Sequence, residues 1–259
     1  MKNLLPKKGA ILILGFYALL LAVWQTLALL SQDFPSPRQV AQRLFELEQD
    51  GVLWPSIRTT LTRMAIGFGL SAIIGLCIGL AMGTSWTINR SLKSLFLGLQ
   101  TLPTAAWVPF SLMIFGLSDK GIYFVIIMSS SSAMAIATSD GILNIPPIYL
   151  RAARTLGTPP WAMAARVIIP AALPNIVTGL KLGWTLGWHG AVSAELIKSA
   201  IGLGFLLQTA RDLYDLPMVI GIMLLTITMG LLLDQCLFGV IERRIRHRWG
   251  LTAEQDLKH

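Results

Sequence analysis

In an apolar sequence the residues best placed to do chemistry are the ionisable ones, because each is expensive to hold there unless something polar meets it. Arg63, Lys181, His189, Glu195 and Asp234 all interrupt apolar runs of this chain. A carboxylate and an imidazole could pass a proton or hold a metal, but His189, Glu195 and Asp234 fall at no acid–base or metal-ligand spacing. His247 and His259 add no ligand spacing, and Cys77 and Cys236 each sit inside an apolar run, where they read as small buried hydrophobes rather than a disulfide pair. No G-x-x-x-x-G-K-[ST] loop occurs, so the chain is not expected to hydrolyse ATP itself. The expected catalytic residues and metal ligands are therefore none.

What remains for these residues is binding and passage. Arg63 lies a few residues inside the second apolar run, where it could attract an anion or reach back to the interface along its own stem. Glu195 and Lys198, three apart, share one helix face and can pair with each other. Trp184, Trp188 and His189 share the midsection of the fifth run, and an inward-facing His189 would need a wet path. Lys181, near the inner end of that run, is placed to reach the interface. The four serines at 129–132 offer hydroxyl donors near mid-membrane, for an anion path or for helix packing. The candidate path residues are Arg63, Ser130, Trp188, His189 and Glu195.

These side chains have to be positioned by membrane spans. Hydrophobic residues make up 54% of the 259, charged residues 13%, and the mean hydropathy is +0.65. Soluble proteins average about 25% charged, so the composition marks an integral membrane protein. A formal charge of +8 could suggest nucleic acid, but the basic residues lie between apolar runs rather than on one aromatic-studded face, and nucleic acid is not an expected partner. Six spans are expected, at about 11–30, 60–82, 95–115, 121–142, 176–197 and 217–240. The first run is long enough to cross a core of about 30 Å and lacks a cleavage pattern after it, which favours a retained span over a signal peptide.

Between spans one and two, 36–50 reads as an amphipathic helix on the outer side, started by Ser36-Pro37. Span two carries Gly67, Gly69, Gly75, Gly79 and Gly83 for close helix approach. Residues 84–93 read as a short loop, and Pro103 and Pro109 predict a kink or unwinding in span three. The apolar stretch AIGLGFLL after span five could dip partly back into the membrane. Counting Lys and Arg in the segments between spans gives thirteen on one side (Lys2, Lys7, Lys8, Arg90, Lys93, Arg151, Arg154, Arg166, Arg243, Arg244, Arg246, Arg248, Lys258) and six on the other (Arg38, Arg43, Arg58, Lys120, Lys198, Arg211). The excess predicts cytoplasmic termini.

The same bias puts 145–175, IPPIYLRAARTLGTPPWAMAARVIIPAALPN, on the cytoplasmic side. It encodes two short helices with a sharp break. Pro146 and Pro147 stop what precedes, and Arg151 and Arg154 share one side of the first helix. Gly157 suits the left-handed residue that ends it. Thr158 is a fair N-cap with Pro159 at the first helical position, and Pro170 and Pro174 are expected to close the second helix. A small-residue face at Ala152 and Ala153 would let another backbone come close. A solvated basic loop without a partner is the plain alternative.

RAARTLGTPPWAMAARVIIP resembles the EAA loop of ATP-binding-cassette importer permeases: E-A-A, three residues, Gly, nine residues, I-x-L-P. Arg151 stands at the Glu position, Ala152, Ala153 and Gly157 match, and Val167, Ile169 and Pro170 fill the end conservatively. With PSPRQV, LQTLPTAAWVPFSLMIFGL, AVSAEL, GLGFLL and LFGVIERRIRHRWG, the whole of 1–250 resembles the permease subunit of bacterial nitrate, sulfonate, bicarbonate and taurine importers. The resemblance implies an all-α membrane protein of the type I importer fold. It also implies a second copy of the permease beside this one and two cytoplasmic ATPase subunits holding ATP and Mg. An extracytoplasmic substrate-binding protein would complete the assembly in the bacterial inner membrane. Arg151, Ala152, Ala153, Arg154, Gly157 and Pro170 would then form the ATPase-coupling loop. Nitrate, bicarbonate, taurine, other sulfonates and a thiamine-precursor pyrimidine all stay open as cargo. A membrane-embedded enzyme, or a channel or scaffold without ATP coupling, are the competing classes.

Overall fold

The computed structural model describes residues 7–31, 33–198 and 200–248. The described residues form helices α1 (Lys7–Leu30), α2 (Pro37–Gln49), α3 (Leu53–Thr84), α4 (Trp86–Gln100), α5 (Trp107–Phe115), α6 (Asp119–Leu143), α7 (Pro147–Thr155), α8 (Pro160–Met163), α9 (Ile169–Lys198), α10 (Leu203–Asp212) and α11 (Leu216–Arg248). Among them α3, α6, the α8–α9 run over Pro160–Ile197 and α11 over Leu216–Gly239 are long and apolar enough to cross a membrane. The first expected span falls in α1, apolar over Leu14–Leu30, and that helix is docked by the Trp24 indole N–H on the Pro35 carbonyl at 3.0 Å.

The centre of the fold is α6, packed between α3 and α9. Close approach comes from glycines on both flanking helices. A Cβ added at Gly75 would stand 2.7 Å from Met134 Cβ, and one at Gly79 would stand 2.6 Å from Thr138 Cβ and 2.7 Å from the Ala135 carbonyl. On the other side, a Cβ at Gly179 would meet Ala137 at 2.5 Å and one at Gly187 would meet Ser130 Oγ at 2.5 Å. Gly67 and Gly83 pack in the same way on Ile126 and Ile142, whereas Gly69, turned to the opposite face, has nothing within 4 Å. Ser129 to Ser132 are all buried in this seam, so the helices meet through small residues in a manner that suits lipid, where apolar side chains gain little by leaving the solvent. α11 closes on the slab through Phe68, Trp184 and Phe238, whose ring centroids lie 5.1 to 6.3 Å apart.

Helix α2 forms where 36–50 is expected to be amphipathic. Ser36 accepts from the Gln39 N–H while Gln39 answers to the Ser36 N–H, a capping box, with Pro37 at the first position. Arg43 ties α2 to the start of α11 by an ion pair to Asp215 at 2.6 Å, and Asp215 in turn accepts the Met218 N–H.

Span three differs from its expected single segment at 95–115. Residues 84–93, expected as a loop, are helical from Trp86 because Ser85 caps the Ile88 N–H. α4 ends at Gln100, a 3-10 turn follows over Thr104–Ala106, and the two halves meet at 92°. Pro103 makes the break. Pro109 makes none, because it sits in the first turn of α5, where a missing N–H costs nothing. Stability in detergent checks the packing: Gly79→Leu lowers unfolding free energy by at least about 2 kcal/mol through overpacking, while Gly69→Leu leaves the melting midpoint unchanged.

Candidate functional site

The 145–175 stretch folds as a capped helix, a tight break and a second helix that runs directly into α9. The end of α7 is a Schellman motif: the Thr158 N–H donates to the Ala153 carbonyl at 3.1 Å and the Gly157 N–H to the Arg154 carbonyl at 3.0 Å, with Gly157 at φ +70°. A side chain at Gly157 would have room but a strained backbone. Ala153 is buried and Ala152 exposed, so the two alanines part rather than form one face. Arg151 and Arg154 are exposed, and beside them Leu156 and Trp161 stand 84% and 70% exposed, an apolar and basic surface left uncovered among the described residues. Beneath, Ile142, Ile145, Ala172 and Ile176 pack with Leu150 and Ile168, fixing the loop to α6 and α9.

The second helix differs from expectation at both ends. It starts one residue later than expected, with Pro159 as N-cap and Pro160 at the first position. Neither Pro170 nor Pro174 closes it. A π-helical turn over Ala164–Ile168 carries the chain into α9, with the Ile169 N–H donating five residues back to the Ala164 carbonyl. The widened turn takes up the mismatch that a proline makes, and Pro170 lies in the first turn of α9, where no donor is required. Pro174 lies inside α9.

At the far end of α9, about 39 Å away at 1.5 Å per residue, sits an ionic cluster. Glu195 is 0% exposed. One carboxylate oxygen accepts from the Thr60 hydroxyl at 2.7 Å and the Gly204 N–H at 3.1 Å, and the other pairs with Arg63 Nη1 at 3.0 Å. Arg63 also donates to the Ile201 carbonyl at 2.7 Å and pairs with Asp119 through Nη2 at 2.7 Å. Thr60 Oγ1 takes the Leu203 N–H at 2.9 Å. Gly202, at φ +145°, lets the chain turn against the carboxylate; a Cβ there would lie 2.5 Å from Glu195 Cδ. Four elements are thus tied at one point: α3, the start of α6, the end of α9 and the start of α10. Glu195 has both oxygens held by Arg63, Thr60 and Gly204; the expected pairing with Lys198 lies outside the described side chains. Glu195's partner Thr60 and Arg63's partner Asp119 are not singled out by the sequence; the three-residue spacing of Thr60 and Arg63 on α3 is the signal available.

The cluster also anchors α10, whose Leu203, Gly204 and Leu206 are buried against the bundle.

Between α9 and α11 lies a cavity of about 520 Å³, lined in part by Trp184, Thr185, Trp188, His189, Thr226 and Asp234. A second, of about 410 Å³, continues beyond it between α5, α9, α10 and α11. Ser193 lines both. Trp188 and His189 therefore border open volume. Ser130 borders neither cavity: it is fully buried against Gly187 in the α6–α9 seam.

Long glycine-packed helices, a capped helix at one end and open volume along α9 define a polytopic membrane transport component. The chain belongs to the family of binding-protein-dependent transport system inner membrane components, which it matches over residues 71–247. It is 32% identical to the taurine transport system permease protein of Escherichia coli K12 over 80% of this chain and 79% of that one. It is 32% identical to the nitrate import permease protein of Leptolyngbya laminosa, over 88% and 85%. It is 36% identical to the bicarbonate transport system permease protein of Synechococcus elongatus, over 71% and 66%. Its fold is that of solved importers: an amino acid ABC transporter at TM-score 0.62 and 24% identity, over 78% of this chain and 97% of that one, and the inward-facing MetNI methionine transporter at 0.60 and 20%, over 74% and 97%. The chain is thus a permease subunit of an ABC importer and not the enzyme that hydrolyses ATP.

Removing one partner from a buried ion pair leaves an uncompensated charge, so Arg63→Ala is expected to cost about 3–5 kcal/mol of stability. Asp119→Ala, at a carboxylate that is 56% exposed, should cost only about 0–1 kcal/mol. Thermal unfolding of the detergent-solubilised variants separates the two.

Proposed function

We propose that two copies of this chain form the membrane pathway of an ATP-driven importer for a small anion such as nitrate, bicarbonate or a sulfonate. An extracytoplasmic binding protein delivers the solute, and two cytoplasmic ATPase subunits, holding ATP and Mg, dock below. The termini and the 145–175 loop lie in the cytoplasm, in keeping with the bias of thirteen basic residues against six. The carrying observation is the loop itself. Arg151, Ala152, Arg154, Leu156 and Trp161 are exposed on a stiff capped unit, and that unit continues without interruption into α9. A rigid connection transmits the closing of an ATPase pair as a tilt of the helix, where a flexible loop would absorb it.

Ala153, Gly157 and Pro170 serve this surface from within: Ala153 seats α7, Gly157 ends it and Pro170 starts α9. Arg151 stands where related loops carry glutamate and meets its partner with a cation. Arg63 and Glu195 act here as the fixed outer end of α9, and Trp188 and His189 border the path. Ser130 belongs to the packing of that path's wall. The taurine, nitrate and bicarbonate permeases to which the chain is similar support the substrate range. The same architecture carrying a thiamine-precursor pyrimidine is the alternative cargo.

The test is co-purification with the neighbouring ATPase gene product, followed by assay in proteoliposomes. Leu156→Asp and Ala152→Trp are expected to leave the permease folded and to cut substrate-stimulated ATP hydrolysis at least about tenfold, as removal of a central docking contact does. Failure of any ATPase to co-purify with the unmodified chain, or full activity in both variants, would sink the coupling role.

A further inference from the structure

Helix α10 ends in a Schellman motif of the same kind as the one that ends α7. The Asp215 N–H donates to the Ala210 carbonyl at 2.9 Å and the Tyr214 N–H to the Arg211 carbonyl at 3.1 Å. The motif needs a left-handed residue at its turn, and in α7 that place falls to Gly157 at φ +70°. In α10 it falls to Tyr214 at φ +55°, the one non-glycine residue with a positive φ among those described. A side chain in this conformation brings its Cβ against the following carbonyl oxygen, and a bulky one is a strained exception.

No packing within the chain accounts for that strain. Tyr214 is 93% exposed and Leu213 beside it 63%, so neither tip is seated in the fold. The turn that carries them is nevertheless rigid: Arg43 holds Asp215 at 2.6 Å, Asp215 accepts the Met218 N–H at 2.9 Å, and Ala210 is fully buried behind it. Around the two apolar tips the polar groups are already matched, because Arg211 pairs with Asp212 at 3.1 Å and Gln208 donates to the same carboxylate at 3.1 Å. An aromatic tip within a ring of satisfied polar groups has the anatomy of a protein-interface hot spot, where the ring carries the affinity and the rim excludes water. The exposed ion pair next to the ring also keeps the turn in water rather than among acyl chains. Strain of this kind persists where function uses the geometry it imposes.

We propose that Leu213 and Tyr214 form a docking knob for the extracytoplasmic binding protein. α10 is joined to the end of α9 farthest from the 145–175 loop, through the Gly204 N–H on Glu195, and the family to which the chain belongs is binding-protein-dependent. The partner's face is an apolar slot for the phenol ring, with an acceptor for its hydroxyl and polar groups to meet Arg211 and Asp212. Fixed in the left-handed turn, the knob is presented already ordered, so docking costs little conformational freedom on this side. The inference rests on the importer reading and adds to it the residues that receive the binding protein.

The experiment uses the complete importer in lipid nanodiscs, which leave both faces accessible, and measures the affinity of the purified binding protein encoded beside it. Tyr214→Gly relieves the strain and removes the ring, whereas Tyr214→Asn keeps a side chain that tolerates the left-handed turn. Tyr214→Gly is expected to raise the melting midpoint by about 2–4 °C and to weaken binding at least about tenfold, and Tyr214→Asn to weaken it as much. A tyrosine that served only the fold would not yield a more stable importer that binds less well. Unchanged affinity in both variants, a lowered midpoint for Tyr214→Gly, or no binding to the unmodified importer would overturn the knob. Tyr214→Trp in discs with brominated acyl chains tests the membrane instead: its added fluorescence should survive, and quenching would place the ring in lipid and overturn the proposal. ATPase co-purification is read separately, so a docked ATPase with unaltered binding-protein affinity defeats this inference alone.

Discussion

The fold depends on how closely α3 and α9 can approach α6. In lipid an apolar side chain gains almost nothing by moving from the acyl chains to a helix interface, so association has to come from dispersion and fit. Glycine supplies the fit by removing the side chain altogether. At Gly75, Gly79, Gly179 and Gly187 even a methyl group would fall within 2.7 Å of an atom of α6. Four serines complete the seam: Ser129 donates to the Val125 carbonyl of its own helix at 2.8 Å, which conceals a polar group without requiring a partner across the interface. The result is a three-helix slab with little freedom to deform internally, and every functional element is attached to its edges or ends.

A stiff slab makes the two ends of α9 mechanically related. At one end the Schellman turn and the π-helical turn join the exposed surface around Leu156 and Trp161 to the helix without a flexible joint. At the other, Glu195 is gripped by groups from α3 and α10, and Arg63 adds Asp119 of α6. Placing a full carboxylate at 0% exposure is costly, and the three contacts it receives, two at one oxygen and one at the other, offset that cost only while the elbow at 201–204, which also holds Arg63 through the Ile201 carbonyl, stays in place. The cluster is therefore sensitive to any displacement of α10 relative to α3.

Much of this was legible in the residues. The apolar runs at 60–82, 121–142, 176–197 and 217–240 fall on α3, α6, α9 and α11, Ser36 with Gln39 marks the start of α2, and Gly157 marks the end of α7, because each signal is local and has a single structural meaning. The misses share a physical cause. Pro170 and Pro174 look like stops in the sequence, but a π-turn just upstream accommodates Pro170, which depends on how the chain enters the bundle, and Pro174 lies inside α9. The 84–93 stretch was read as a loop for its charge, yet Lys93 pairs with Asp140 and Asn89 donates to Ser139 at 2.6 Å, contacts that stabilise α4 only once α6 lies beside it. The partner Glu195 finds on α3, Arg63, is 132 residues distant. Pairings across the fold leave no trace in spacing.

The chain's charge of +8 invites the idea that bare cations draw an anion through it. The described path argues otherwise. Arg63 is engaged by Glu195 and Asp119, Lys181 by Asp234, and at the entrance to the bundle Arg43 by Asp215 and Glu46. Each of these cations is matched by at least one carboxylate, so the field along α9 is close to neutral and the surplus lies in the inter-span segments that set orientation. Between those segments the cavity beside α9 is bordered mainly by apolar side chains, Trp184, Trp188, Val192, Ile227 and Leu231 among them, so the surplus charge bears on topology and not on the cavity.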